Sequence, residues 1–431
     1  MLKRILTLIL AIGIGILFVI PAMAEVKSVK VGGDLTIKGV YRDNLDFSKD
    51  DDTVVVDDGT EGWFMTTTRV YVGAELSDNV TTMVRLLNEI DWDVETAAST
   101  DIDLDLAYVK LADLFSPGLT VTLGRQEILL GRGFVVGNSN FAGNANLRAP
   151  DLTSRKAFDA WRLDYEFGTM PLTMTALGIK VDDNSLTAGA TNNEDTDLAG
   201  INFAYKLDNV IFEGYLLNAV AQAVADDFDI FTWGLRVDHN VLAMPGLNYN
   251  LEVALENGEN AALDKDAWAG CGDISYSFAN PYQPKIGLSY FAATGDGDAA
   301  DDDDNAWSPI FPDNLATRIG DLTYAYQAAN ATAGVDIAAF KVYGSFKPAD
   351  KHLLSLAWFP ASVFSDAAAG IDDEIGWEVD AGYTYNYTDD VTFGLAADFM
   401  TAGDGIDDLL AVGVDAEDSA IQVVGTVAVV F

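Results

Sequence analysis

The sequence predicts an all-β chain: a transmembrane antiparallel up-and-down β-barrel of about 18 strands, with short periplasmic turns and long extracellular loops. Three observations predict it. The chain opens with an export signal, it continues in segments that alternate apolar and polar residues, and it stops in mid-strand on Val427-Ala428-Val429-Val430-Phe431. A soluble domain that ended this way would leave an unpaired edge. In a closed barrel the last strand pairs with the first and no edge remains.

The signal is read from Lys3 and Arg4, the apolar run from Ile5 to Ile20, and the small-x-small pattern Ala22-Met23-Ala24. A run of about 16 apolar residues is short for a spanning helix and has the flanks of a cleaved leader. Residues 1–24 are therefore expected to be a signal peptide and residues 25–431 a single barrel domain. No later apolar run is long enough for a helix to cross a bilayer, so insertion requires a closed barrel. The chain holds one cysteine, Cys271, so it has no internal disulfide framework, and it has no C-x-x-C-H for haem attachment. Losing Lys3 and Arg4 with the leader takes the formal charge from −42 to −44. That charge argues against nucleic acid as a partner and is compatible with small cations.

The strands are expected near 29–42, 62–76, 80–93, 101–115, 119–129, 157–167, 171–181, 197–207, 210–218, 228–238, 247–257, 266–278, 285–295, 335–347, 353–359, 374–387, 391–400 and 419–431. Alternation is cleanest in Leu247-Asn248-Tyr249-Asn250-Leu251-Glu252-Val253 and from Ile375 to Tyr387. In Asp101-Ile102-Asp103-Leu104-Asp105-Leu106 it sets carboxylates behind aliphatics. Parity breaks at Val109 and near Gly124 read as bulges. A soluble sandwich alternates too, so the connections decide. Short turns at Asp78-Asn79, Ser116-Pro117-Gly118, Asp208-Asn209 and Thr388 to Asp390 are expected to alternate strictly with long links such as 43–61, 130–156, 182–196, 296–334 and 401–418. This puts Asp182-Asp183 and Asp301 to Asp304 on the extracellular side, and Asp208-Asn209 and Pro348 on the periplasmic side.

Tryptophans near strand ends (Trp63, Trp92, Trp161, Trp233, Trp268, Trp358 and Trp377) suit interfacial girdles. With Asp103, Glu252, Glu378 and Asp380 on inward parity, the interior reads as a water-filled lumen with acidic walls rather than a hydrophobic core. Positive charge concentrates in one stretch. Arg125, Arg132, Arg148, Arg155 and Arg162 are five of the arginines, and with Lys156 they outnumber Glu127, Asp151 and Asp159. If this third long loop folds inward, its guanidinium groups line a constriction facing the acidic wall, joined by Arg69, Arg85 and Arg236 from other strands. The alternative is that these arginines neutralise the barrel's own carboxylates.

Gly124-Arg125-Gln126-Glu127-Ile128-Leu129-Leu130-Gly131-Arg132-Gly133, followed by Ala157-Phe158-Asp159-Ala160-Trp161-Arg162-Leu163, resembles the alginate-export family of outer-membrane porins. Asn305 to Gly320, with Ser308-Pro309-Ile310-Phe311-Pro312, resembles the loop that family carries before its late strands. The resemblance implies a monomeric 18-stranded barrel with an arginine-lined constriction, most directly at Arg125 and Arg162. The strongly negative chain departs from an exporter of polyanions, and the branch of general or small-solute porins fits better. The expected function is passive diffusion of small hydrophilic solutes and ions across a Gram-negative outer membrane. The alternatives are a channel specific for anionic sugars or organic acids and a plugged adhesin or receptor barrel.

Other chemistry has little support. Gly295 to Asn305 and Asp50-Asp51-Asp52 are acidic enough for Ca²⁺, but the first lacks a calcium loop's ligand pattern, and both read as solvated loops. Cys271, between two glycines, reads as an inert small residue. His239 and His352 are the only histidines, both at periplasmic turns, so no base stands on the extracellular rim and no enzyme is expected. No cofactor or metal is expected. The expected partners are outer-membrane lipid and lipopolysaccharide, small solutes, and the barrel-assembly machinery, which would recognise Phe431.

Overall fold

A computed structural model describes residues 26–45, 47, 60–94, 102–140, 144, 146–183, 195–221, 227–261, 263–296, 301–313, 318–319, 336–365, 374–404 and 419–431. The expected leader and Asp50-Asp51-Asp52 lie outside these residues. The described strands are β1 (Ser28–Asp43), β2 (Thr60–Ser77), β3 (Val80–Asp91), β4 (Asp103–Leu111), β5 (Leu119–Glu127), β6 (Ala157–Phe167), β7 (Leu172–Asp183), β8 (Asp195–Lys206) and β9 (Val210–Ala221). They continue as β10 (Phe228–Asn240), β11 (Leu247–Asn260), β12 (Leu263–Ser277), β13 (Lys285–Ala293), β14 (Asp303–Asp304), β15 (Asp336–Ala349), β16 (His352–Ser365), β17 (Glu374–Asn386), β18 (Val391–Ala402) and β19 (Ser419–Val430). All pair antiparallel with their sequence neighbours except the two-residue β14, which lies parallel on Asp264 and Lys265 of β12. The other eighteen form the expected barrel.

Closure is direct. β1 pairs with β19 from Asp34↔Val430 to Asp43↔Ile421, and Phe431 exchanges backbone hydrogen bonds of 2.9 and 3.0 Å with Gly33. The terminal apolar strand therefore has a partner along its length, as the lack of any other place for its edge required.

Residues opposite one another on a ladder share a face. Leu251, Val253 and Leu255 are about half exposed, whereas Glu252, Ala254 and Glu256 between them are buried, which separates the lipid-facing from the inner surface on β11. Trp161, Trp233, Trp268, Trp358 and Trp377 are exposed, as a girdle requires. Trp63 is a correction: it is only 7% exposed, packed inward with Val40, Ala149 and Val424 beneath Arg42, because it shares its row with inward Val40.

Two further expectations fail. Loop lengths do not alternate strictly, since β11 and β12 are joined on the long-loop rim by residues 261–262 alone. The strands run beyond 257 and 266 because β14 and Lys265 extend the sheet there. The bulge between β3 and β4 lies at Asp105, not Val109: Arg85 faces Leu106 and Leu86 faces Leu104. It turns Leu106 inward, only 7% exposed, and ends the aliphatic row of Ile102 and Leu104. No bulge forms near Gly124: its φ is +113°, a conformation that suits a residue without Cβ, but its ladders to β4 and β6 stay in register and parity is kept through it.

Candidate functional site

The lumen is crossed by the segment between β5 and β6. From Ile128 it enters the barrel and lays Leu130, Phe134, Val135 and Val136 against the inner faces of β6–β13. A second inward segment, from the link between β13 and β15, meets it there. Phe311 donates its N–H to the Val135 carbonyl at 3.0 Å, and Gly137 donates to Phe311 at 2.9 Å. Phe134 stacks on Trp307, with centroids 5.4 Å apart, and Phe158 meets Phe311 edge-on at 5.0 Å. This half of the barrel interior is thus a hydrophobic core, against the expectation of an all-polar lumen. The apolar triplet Phe134-Val135-Val136 in a polar loop was the available sequence signal, because an exposed loop gains nothing from such residues.

The acidic residues beneath these segments act as anchors. Glu252 is 3% exposed; it accepts a hydrogen bond from Tyr215 Oη at 3.0 Å and one from the Arg132 N–H at 3.3 Å. Gly131, at φ +57°, leaves room for that carboxylate, since a Cβ there would stand 2.7 Å from Glu252 Oε1. Glu378 is 2% exposed and accepts the N–H groups of Arg318 and Ile319 at 3.0 and 2.9 Å. Asp380 lies beside it on the inner face, 8% exposed, opposite Asp398. None of the three presents a bare carboxylate to lumen water, so the expected acidic wall is corrected at Glu252, Glu378 and Asp380. Infolded backbone covers Glu252 and Glu378, because buried N–H groups need acceptors.

The crossing segment then reaches the opposite wall. Arg42 grips Asp151 with two hydrogen bonds of 2.9 and 2.6 Å and donates Nε to Gln422 Oε1 at 2.7 Å. Gln422 donates to Asp398, which also accepts from Arg318 Nη1 at 2.7 Å, so one polar relay spans the closing seam. Lys38 Nζ donates to the Leu152 carbonyl at 2.9 Å. Glu89 accepts from Thr153 Oγ1 and the Ser154 N–H at 2.6 and 2.7 Å, and Asp91 accepts the Arg148 N–H at 2.7 Å. Sequence reasoning missed Arg42, Lys38, Glu89, Asp91, Arg318 and Asp398. The inward parity of Lys38 and Arg42 in β1 was legible, but their loop partners were not.

The five arginines of the expected constriction are not brought together. Arg125 stands opposite Ala107 and Asp159 in the row adjoining Leu123 and Trp161 on the outer face, and it binds Asp159 at 2.9 Å. That register takes it out of the lumen, a correction that follows from strand parity. Arg132 lies half-buried in a recess with Cys271, Lys341 and Phe359. Cys271 itself is buried. Arg155 binds Asp103 and approaches Glu89, and Arg162 binds Asp164 at 2.9 and 3.0 Å. Arg148 alone of the five keeps an exposed side chain with no ion pair among the described residues. The wall arginines are paired as well: Arg69 with Asp34, Arg85 with Asp105 and Glu127, and Arg236 with Glu213 and Asp238. Six of these arginines thus stand in ion pairs with carboxylates of the barrel itself.

On the extracellular rim, Asp301 and Asp302 are exposed while Asp304 is buried against Lys265 and Asn260, at 3.0 and 2.7 Å. Burial alone would raise its pKa, but the Asn260 hydrogen bond and the Lys265 ammonium outweigh that and hold the carboxyl below its ordinary range. Among the described residues no group of carboxylates, histidines or cysteines has the geometry of a metal site.

A lumen crossed by an infolded loop, inside a barrel sealed by its terminal strand, is a channel architecture, and the profile of the alginate export family matches residues 29–360. The chain belongs to the alginate export family. No curated protein matches it in sequence. Among solved structures it is similar to three proteins of Pseudomonas aeruginosa. OpdQ has a TM-score of 0.59 at 13% identity, over 95% of this chain and 99% of that one. OccK9 (OpdG) has a TM-score of 0.58 at 12% identity, over 93% and 99%. OccK5 (OpdH) has a TM-score of 0.57 at 13% identity, over 93% and 98%. At such identity the likeness speaks for the fold alone. With the family, it makes this chain an outer-membrane β-barrel porin.

Proposed function

We propose that the chain is a passive porin whose aperture is set by the crossing segment 128–156, with solutes passing along its polar side. One observation carries this reading: the segment is fixed at both walls, by Glu252 under Gly131-Arg132 and by Arg42 on Asp151. Such a bar narrows the barrel and cannot swing clear without breaking both. Arg148, exposed on the bar, is the guanidinium best situated to act on passing ions. At about 0.15 M salt the Debye length is about 8 Å, so only charges at the narrowest point set selectivity. In planar bilayers the wild type should give ohmic steps, and Arg148→Ala should shift the reversal potential toward cations, most at low salt. Absence of conductance would establish a plugged barrel. Block by an added organic anion, relieved by Arg148→Ala, would favour the second reading, a channel for anionic solutes.

Residues 1–24 complete this reading as a cleaved leader. Phe431, paired with Gly33 at the seam, is proposed as the signal read by the barrel-assembly machinery. Its deletion should lower the yield of heat-modifiable barrel in cells; an unchanged yield would remove that role.

A further inference from the structure

The outer face carries its own depth scale. On β5–β8 the row Leu123, Trp161, Gly178 and Ala199 is apolar, and the next outward row toward the extracellular rim is Arg125, Asp159, Lys180 and Asp197. Arg125 binds Asp159 at 2.9 Å and Lys180 binds Asp197 at 3.2 Å. Charge directly above an exposed tryptophan marks the headgroup level, since the same side chains at the hydrocarbon level would be strongly unfavourable.

At this level the wall parts. The β4–β5 ladder stops at Ala107↔Arg125, while β3–β4 continues to Leu87↔Asp103 and β5–β6 to Glu127↔Ala157. A cavity of about 320 Å³ fills the parting, bounded by Leu104, Arg125 and Lys180 on the outer side and by Asp103, Asn140 and Arg155 on the inner. Its carboxylates already have partners: Arg155 binds Asp103, Arg85 binds Asp105 and Arg125 binds Asp159. What lacks a hydrogen bond is a set of buried donors, Arg125 Nε, Asn140 Nδ2 and Arg155 Nε, the last only an ion-pair distance of 3.5 Å from Glu89. Three unmet donors around one cavity call for a ligand rich in acceptors.

We propose that this cavity binds the phosphate of an anionic lipid headgroup of the outer leaflet, the phosphorylated glucosamine of lipopolysaccharide. A phosphate offers several acceptor oxygens to converging N–H groups and to the fixed guanidinium charge. A lipid rather than a solute is indicated because two of the cations, Arg125 and Lys180, stand on the lipid side of the wall. Leu104, 49% exposed beside them, continues the apolar surface on which an acyl chain lies. The same assignment accounts for an arginine on the outer face of a porin.

The test is native mass spectrometry of the full barrel extracted from outer membranes in mild detergent. The wild type should retain phosphorylated lipid, and Arg125→Gln with Lys180→Gln should retain on the order of tenfold less, the effect of losing two charge-assisted contacts. Heat-modifiable migration checks that the variant is folded, and Asn140→Ala, which leaves every ion pair intact, should lower retention by a smaller factor. Delipidated barrel should rebind bisphosphorylated lipid A and not its dephosphorylated form. Equal retention by the folded double variant, or equal rebinding of both lipid forms, overturns the proposal. So does tight binding of inorganic phosphate with lipid retention unchanged, which would make the cavity a solute site.

Discussion

The two walls that hold the crossing segment differ in kind. Against β6–β13 it is held by burial of Phe134, Val135, Val136 and their partners Trp307 and Phe311, which is non-directional and indifferent to salt. Against β1–β3 it is held by Arg42, Lys38, Glu89 and Asp91, each through charge-assisted hydrogen bonds to one or more groups. The apolar side fixes where the segment sits, and the polar side fixes its shape while leaving charge beside the water path. A bar glued on one side and latched on the other has one end that solution conditions can loosen.

The largest effect should come from the glued side. Trp307→Ala removes the ring stacked on Phe134, and truncations of buried aromatics cost roughly 3–5 kcal/mol. The bar should undock there, so single-channel conductance should rise while the barrel still migrates as a heat-modifiable species. Unchanged conductance would mean that this core does not set the aperture.

Next comes the latch. Arg42→Ala strands Asp151, and the loss should be about 2 kcal/mol, below the value for a fully buried pair because both side chains keep some exposure. Open-channel noise should increase, and Arg42→Met combined with Asp151→Leu should restore quiet currents. If the double variant is as noisy as the single one, the pair is not what steadies the bar.

Salt gives a smaller effect and sharpens the contrast. At 1 M the Debye length falls to about 3 Å. Protease sites engineered at 146–148 should become more susceptible, whereas sites at 134–136 should not. Equal sensitivity would erase the distinction between the walls.

The smallest effect concerns the rim. The Asp304 carboxyl is held below its ordinary pKa, so its stabilisation of the 301–313 segment is complete above the unfolded carboxylate range. It is lost as pH falls through the lower, folded value. Cleavage within 301–313 should accelerate only in strong acid, and Asp304→Asn should abolish that dependence. Acceleration already near pH 6 would contradict the assignment.

Strand number, closure and sidedness were legible because period-two alternation and turn residues are local properties, and a terminal strand has one place to pair. The pairing Gly33↔Phe431 realises what Val427 to Phe431 already required. The site was less legible. The arginine-rich stretch and the family resemblance point Arg125 at the constriction, and only its ladder partners Ala107 and Asp159 show that it faces outward. Inward parity alone makes Glu252 and Glu378 wall charge, whereas the backbone of distant loops lies on both.

The sequence by itself determined the barrel, its membrane and its two rims, since each follows from the pattern of side chains along the strand that carries them. Tertiary structure alone decided what occupies the interior. Whether Glu252 faces water or the Arg132 N–H, and whether Arg42 is free or holds Asp151, depends on contacts between residues more than a hundred positions apart. No local periodicity encodes such contacts, because they are chosen by which loop backbone needs an acceptor and which apolar triplet needs cover.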